Sequence, residues 1–177
     1  MGDRLRYLQT AVAAVDARVG RILATSPSWE TTPVGPCEGL FLNAALLCES
    51  FLEPELAMAE LLSIEADMGR IRGERWGSRI IDLDLLLAQD EGGHPVILQS
   101  EALTVPHPLM LKRDFVLIPA AAIAGDWLHP VSDTSLSQAL AQLLETSPMT
   151  ALRVFSPSEG TTYSSSSASS CARPMVN

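Results

Sequence analysis

Leu5, Leu8, Val12, Val15, Val19 and Ile22 recur at three- and four-residue steps, the spacing of one buried face of an α-helix. Asp3 is placed to cap this helix and Gly20 to help end it. The pattern then changes. Residues 22–30 read as a strand, the turn-prone run Thr31-Thr32-Pro33-Val34-Gly35-Pro36 follows, and a second strand spans about 40–50, giving a hairpin with a long connection. Pro54 suits the first turn of a helix that carries Leu56, Ala59, Leu62 and Ala66 and runs to Gly69. An arginine-rich loop leads from there into an apolar strand over 80–87.

Beyond Gly92-Gly93, short extended pieces at 96–98 and 103–105 precede a Pro-His-Pro corner and a helix starting near Leu109. Leu136, Leu140, Leu143 and Leu144 mark another helix, and 151–155 reads as an edge strand. From Ser156 the chain is rich in Ser and Thr and poor in apolar residues, so stable structure is not expected there. These signals divide the chain into one domain, 1–155, and a Ser-rich tail, 156–177, with no internal repeat. Strands and helices interleave around one hairpin. An α/β chain of the α+β sandwich type is expected, with a mixed sheet covered by helices on at least one face.

Composition narrows the partners. With 177 residues, 47% apolar and 19% charged, the chain can bury a sizeable core. Its net charge of −9 argues against broad binding to nucleic acid or anionic membranes, so an anionic ligand should be small and locally held. Cys37, Cys48 and Cys171 are odd in number and far apart, favouring neither a disulfide framework nor a zinc site. No apolar run has the length of a membrane helix: the longest, near 115–124, contains Pro119, and the polar N-terminus lacks a signal-peptide core. A cytoplasmic monomer is the expectation. His94 and His129 match no motif and are assigned to loops.

The chemistry concentrates between Arg70 and Leu87. Four of the twelve basic residues, Arg70, Arg72, Arg75 and Arg79, stand just ahead of Asp82 and Asp84 in an apolar run. Strand alternation puts both acids on one face, where burial is costly without a partner. A magnesium ion would suit them, because it takes one or two protein carboxylates and leaves other positions to phosphates, whose remaining charge arginines balance. Each element also has a plainer reading: a solvated acidic strand end and a solvated arginine surface.

The run Arg75-Trp76-Gly77-Ser78-Arg79-Ile80-Ile81-Asp82-Leu83-Asp84-Leu85-Leu86 closely resembles the signature of the 6-hydroxymethyl-7,8-dihydropterin pyrophosphokinase family. Further blocks agree, in the same order: Glu30-Thr31-Thr32-Pro33-Val34-Gly35, Phe41-Leu42-Asn43-Ala44-Ala45, Glu65, Gly69-Arg70-Ile71-Arg72, Leu103-Thr104-Val105-Pro106-His107-Pro108 and Arg113-Asp114-Phe115-Val116-Leu117. The resemblance covers roughly 2–155. It implies a ferredoxin-like fold and transfer of pyrophosphate from ATP to the pterin hydroxymethyl group, with AMP released in folate biosynthesis.

The same resemblance assigns roles. Asp82 and Asp84 match acids that hold two Mg2+ ions on the ATP phosphates, and Arg70, Arg72 and Arg79 match residues that clamp the triphosphate and close over it. Arg75, His107 and Arg113 match groups on the ATP side, and Glu65 a helix-borne acid near the nucleotide. Trp76 and Phe115 match the aromatic pair that sandwiches the pterin ring, a role that stacking on a flat heterocycle explains. Asn43 supplies a donor and an acceptor for the pterin edge, Phe41 packs beside it, and backbone groups of Thr31, Thr32 and Val34 complete the acceptor pocket. No residue stands out as a general base, and positioning with electrostatics would suffice.

One feature departs from the pattern. The family opens with an interior strand and a Gly-Ser-Asn-Leu-Gly type turn, whereas this chain opens Met1-Gly2-Asp3-Arg4, so its first strand is expected to be missing, through a start placed too far downstream or a truncation. Ala102 also stands where some members carry an arginine toward ATP. Two other readings use the same residues: a pseudoenzyme that binds nucleotide and magnesium without a complete pterin pocket, and a metal-dependent phosphohydrolase. The second leaves Trp76 and Phe115 without a role.

Overall fold

A computed structural model describes residues 4–32, 39–69, 80–146, 150–155 and 175–176. The first helix, α1 (Arg4–Arg18), follows the expected apolar periodicity and buries Ala11 and Val15. The strand expected over 22–30 is two strands, β1 (Arg21–Thr25) and β2 (Ser28–Thr31), and the one expected over 40–50 is also two, β3 (Phe41–Asn43) and β4 (Leu46–Glu49). The two interruptions face each other. Ser26 N donates to the Ala45 carbonyl at 2.9 Å, and Ala45 N donates to Ser26 Oγ at 2.8 Å, so the ladder changes direction without leaving these backbone groups unpaired. Pro27, which has no N–H to give a ladder, lies in the break.

The hairpin is thereby split between two sheets. β1 pairs with β4, while β2 pairs with β3 on one side and with β10 (Ala151–Phe155) on the other, which makes β10 the expected edge strand. Helix α2 (Pro54–Asp67), with Pro54 in its first turn, buries Ala57, Leu61, Ile64 and Glu65. β5 (Leu85–Leu87) follows, shorter than the strand expected over 80–87. β6 (Leu98–Gln99) and β7 (Thr104–Val105) pair as a small ribbon. The helix expected near Leu109 begins as a 3-10 turn, Met110–Lys112, before α3 (Asp114–Ala124). β8 (Leu128–His129) and β9 (Thr134–Ser135) form a short hairpin that the hydrophobic pattern does not foretell, ahead of α4 (Leu136–Thr146).

Two cores flank the larger sheet. Ala11, Val15, Leu46, Cys48, Leu61, Ile64 and Leu85 join α1 and α2 to one face, while Leu86, Leu87, Val116, Leu117 and Leu136 join α3 and α4 to the other. Burial of each Val, Leu or Ile side chain among these contributes about 1.5–3 kcal/mol. The described pairings in both sheets are antiparallel, and the fold is α+β. Burial pushes the Cys48 thiol up to about 12, which leaves it unreactive, and Cys37 and Cys171 lie outside the described residues.

Met175–Val176 forms β11, which stands between β4 and β5 and pairs antiparallel with both, in the order β1-β4-β11-β5. Residues 175–176 thus fill an interior position of the larger sheet. Deleting residues 175–177 should expose backbone groups on both β4 and β5 and lower Tm in a thermal melt. An unchanged Tm would mean that the pairing adds nothing to stability.

On β2, Glu30 is buried and accepts from Arg153 Nε of β10 at 2.6 Å and from Arg4 Nη2 of α1 at 2.8 Å. Those hydrogen bonds, from Arg153 and then Arg4, hold its carboxyl below the usual carboxylate range. A depressed folded-state value stabilises the fold above the ordinary glutamate pKa of about 4.3, and the contribution is lost as pH falls below it. Glu30→Gln should therefore lower Tm at neutral pH, with the deficit shrinking in melts recorded progressively below about pH 4.

Candidate active site

Burial alternates along the segment before β5. Ile81, Leu83 and Leu85 enter the first core, whereas Asp82 is exposed and Asp84 half-buried. The alternation expected of a strand thus persists although only Leu85–Leu87 is regular. The acids share one side, as expected, but Asp82 keeps its contact with solvent, which removes much of the desolvation cost that burial would impose.

Both acids line a cavity of about 300 Å3 together with Glu65, His107 and Arg113. Met58, Leu62 and Glu65 come from one face of α2, at steps of four and three residues, and Leu83 closes the wall. Glu65 is 1% exposed, and one carboxylate oxygen accepts from Leu83 N at 2.7 Å. That bond fixes the backbone midway between Asp82 and Asp84. Its effect on the two acids runs through the chain and was not legible from the helix pattern, which only places Glu65 near the end of α2.

His107 follows β7 and its N–H donates to the Leu86 carbonyl at 2.8 Å, which ties the Pro-His-Pro corner to β5. Burial lowers the imidazole below its usual range, against an opposing pull from Asp84. Nδ1 accepts from Leu109 N at 3.2 Å, so the neutral ring carries its proton on Nε2 and can donate there. Arg113 precedes α3, and its guanidinium carbon lies 5.7 Å from the centroid of the Phe115 ring, within cation–π range. Two carboxylates, an imidazole donor and a guanidinium therefore converge on one space, a set that accepts a hard cation and anionic oxygens together.

A second cluster lies on β2 and β3. Trp29 pairs with Asn43 and Thr31 with Phe41, so these four side chains share one face of the ribbon, opposite Glu30. Asn43 Nδ2 donates to Thr31 Oγ1 at 2.8 Å. Thr31 is buried, Thr32 half-buried and Phe41 41% exposed. α3, which begins with Asp114 and Phe115, packs against both strands. Arg113, at the cavity, and Phe115 stand two positions apart at the start of this helix. Arg70, Arg72, Arg75, Trp76, Arg79 and Val34 lie outside the described residues.

The two carboxylates fit magnesium, which takes one or two carboxylates from a protein when phosphates supply the rest. Among the described residues, no helix is long and apolar enough to cross a membrane.

The sequence profile of the 7,8-dihydro-6-hydroxymethylpterin-pyrophosphokinase family matches residues 1–125, which include both clusters. The chain belongs to this family. It is accordingly a pyrophosphokinase, a transferase of folate biosynthesis with ATP as co-substrate. A 2-amino-4-hydroxy-6-hydroxymethyldihydropteridine pyrophosphokinase from Methylorubrum extorquens is 38% identical over 145 residues, 81% of this chain and 87% of that protein. The protein of the same name from Synechocystis is 36% identical over 144 residues, 81% of this chain and 71% of that one. Folic acid synthesis protein fol1 of Schizosaccharomyces pombe is 35% identical over 158 residues, which are 88% of this chain and 20% of that protein.

Glu65→Ala should leave the Leu83 amide without its acceptor and cost about 1–3 kcal/mol of stability in denaturant unfolding. Glu65→Gln keeps an acceptor oxygen and should recover most of that loss; equal losses in both variants would assign the effect to the charge instead.

Proposed function

We propose that the chain transfers pyrophosphate from ATP to the hydroxymethyl group of 6-hydroxymethyl-7,8-dihydropterin and releases AMP. The observation that carries this reading is the convergence of Asp82, Asp84, His107 and Arg113 on one cavity, with the Arg113 guanidinium also over the ring of Phe115. Asp82 and Asp84 would hold two magnesium ions, which neutralise phosphate charge and polarise the transferred group when bound. Arg113 and the Nε2 proton of His107 bind phosphate oxygens, and Arg70, Arg72, Arg75 and Arg79 add positive charge from the preceding segment.

The acceptor ring stacks between Phe115 and Trp76, while Asn43 and the backbone of Thr31, Thr32 and Val34 read its polar edge and Phe41 packs beside it. Its hydroxyl oxygen attacks the β-phosphorus in line and gives up its proton to solvent, the bond from the β-phosphorus to the oxygen bridging to the α-phosphate breaks, and AMP departs with that oxygen. Catalysis on this reading is orientation and charge stabilisation, which agrees with the lack of an evident base. Glu65 lines the same cavity near the nucleotide and also holds the backbone between the two acids by accepting from Leu83 N. The protein works as a cytoplasmic monomer.

AMP release in the presence of ATP, magnesium and hydroxymethyl-dihydropterin tests the reading. Asp84→Ala should reduce turnover by more than about a hundredfold while the apo protein keeps its circular dichroism spectrum and melt. Full turnover in that variant would overturn the metal assignment. ATP-dependent thermal stabilisation without AMP release, or phosphate release without pterin, would overturn the transferase reading itself.

A further inference from the structure

Asp114 is a buried acid between Arg113 and Phe115 to which the reaction above gives no task. Its position in the first turn of α3 suits the helix dipole, and Oδ1 accepts from Phe115 N at 2.9 Å. A cap needs no more than its own helix. Asp114 instead also accepts from both the backbone N–H and the hydroxyl of Thr150, 36 residues away.

Thr150 passes the constraint on. Its carbonyl accepts from Thr32 N at 2.9 Å and from Thr32 Oγ1 at 3.3 Å, and the next residue, Ala151, is paired with Thr31 across β10 and β2. Thr31 in turn receives the Asn43 amide. An unbroken series of hydrogen bonds therefore runs from the start of α3, which carries Phe115, to the strand edge that carries Thr31 and Thr32. The aromatic and polar walls of the proposed acceptor site lie at its two ends.

We infer that Asp114 and Thr150 form a latch that sets the spacing between Phe115 and the Thr31–Thr32 edge, making both positioning residues for recognition of the flat acceptor. The inference rests on the functional reading above. A planar ring held between a stacking face and a hydrogen-bonding edge tolerates little change in their separation, because both interactions are short-ranged. Asp82, Asp84 and Glu65 are held by α2 and the segment before β5, so the latch bears on acceptor binding and not on the acid pair.

Thr150→Val removes the hydroxyl donor at nearly constant volume and leaves the backbone N–H in place. The KM for hydroxymethyl-dihydropterin should rise about tenfold, the dissociation constant for ATP should stay within about twofold, and Thr150→Ser should restore the wild-type KM. An unchanged acceptor KM in Thr150→Val would overturn the latch, as would a parallel weakening of ATP and acceptor that Thr150→Ser does not repair. Should the valine variant fail to fold, Asp114→Asn supplies the same comparison, since the amide keeps one acceptor oxygen and loses the other. Wild-type protein that releases no AMP with this acceptor would instead overturn the functional reading, and the inference with it.

Discussion

The cavity beside α2 depends on one stretch of backbone, 81–85, whose odd-numbered side chains are buried and whose even-numbered ones are acids. Hydrophobic burial and charge solvation are satisfied by the same alternation, so the acids face the cavity because their neighbours cannot leave the core. Glu65 secures this arrangement from α2 by accepting the Leu83 N–H. A buried carboxylate next to two more would be unfavourable by itself; a backbone donor of this kind stabilises it and also pins the segment. His107 belongs to the same assembly through the Leu86 carbonyl.

The β2–β3 cluster is organised differently. Its polar groups sit on a ribbon that belongs to the smaller sheet, while Phe115 sits on α3, which packs against the second core of the larger one. Arg113, Asp114 and Phe115 connect these parts of the fold from consecutive positions: a guanidinium at the cavity, a carboxylate on Thr150, and a ring beneath the guanidinium.

Legibility followed the range of the interactions involved. α1, α2 and α4 announce themselves because a helix buries one face with a period that eight or more residues repeat. The long strands expected at 22–30 and 40–50 broke at Ser26-Pro27 and Ala44-Ala45, where Pro27 was the only local warning and the mutual bonds of Ser26 and Ala45 supply the compensation. Strands of two residues, such as β8 and β9, have no period to read. In the site, Asp82, Asp84, His107 and Arg113 were legible from motif blocks and do share a cavity. Asp114 lies inside one of those blocks but carries no signal of its own, because its partner is Thr150, a residue with no motif around it.

By itself the sequence determined the helices, the apolar alternation that turns Asp82 and Asp84 to one side, and the family, since these rest on residue type and spacing along a few turns of chain. Tertiary structure alone decided which distant backbone groups meet. It brought the Glu65 carboxylate to Leu83, Thr150 between Asp114 and Thr32, and β11 into the gap between β4 and β5. The physical reason is common to all three: an unpaired buried N–H or C=O must find a partner, and that requirement specifies a position in space without specifying where along the chain the partner comes from.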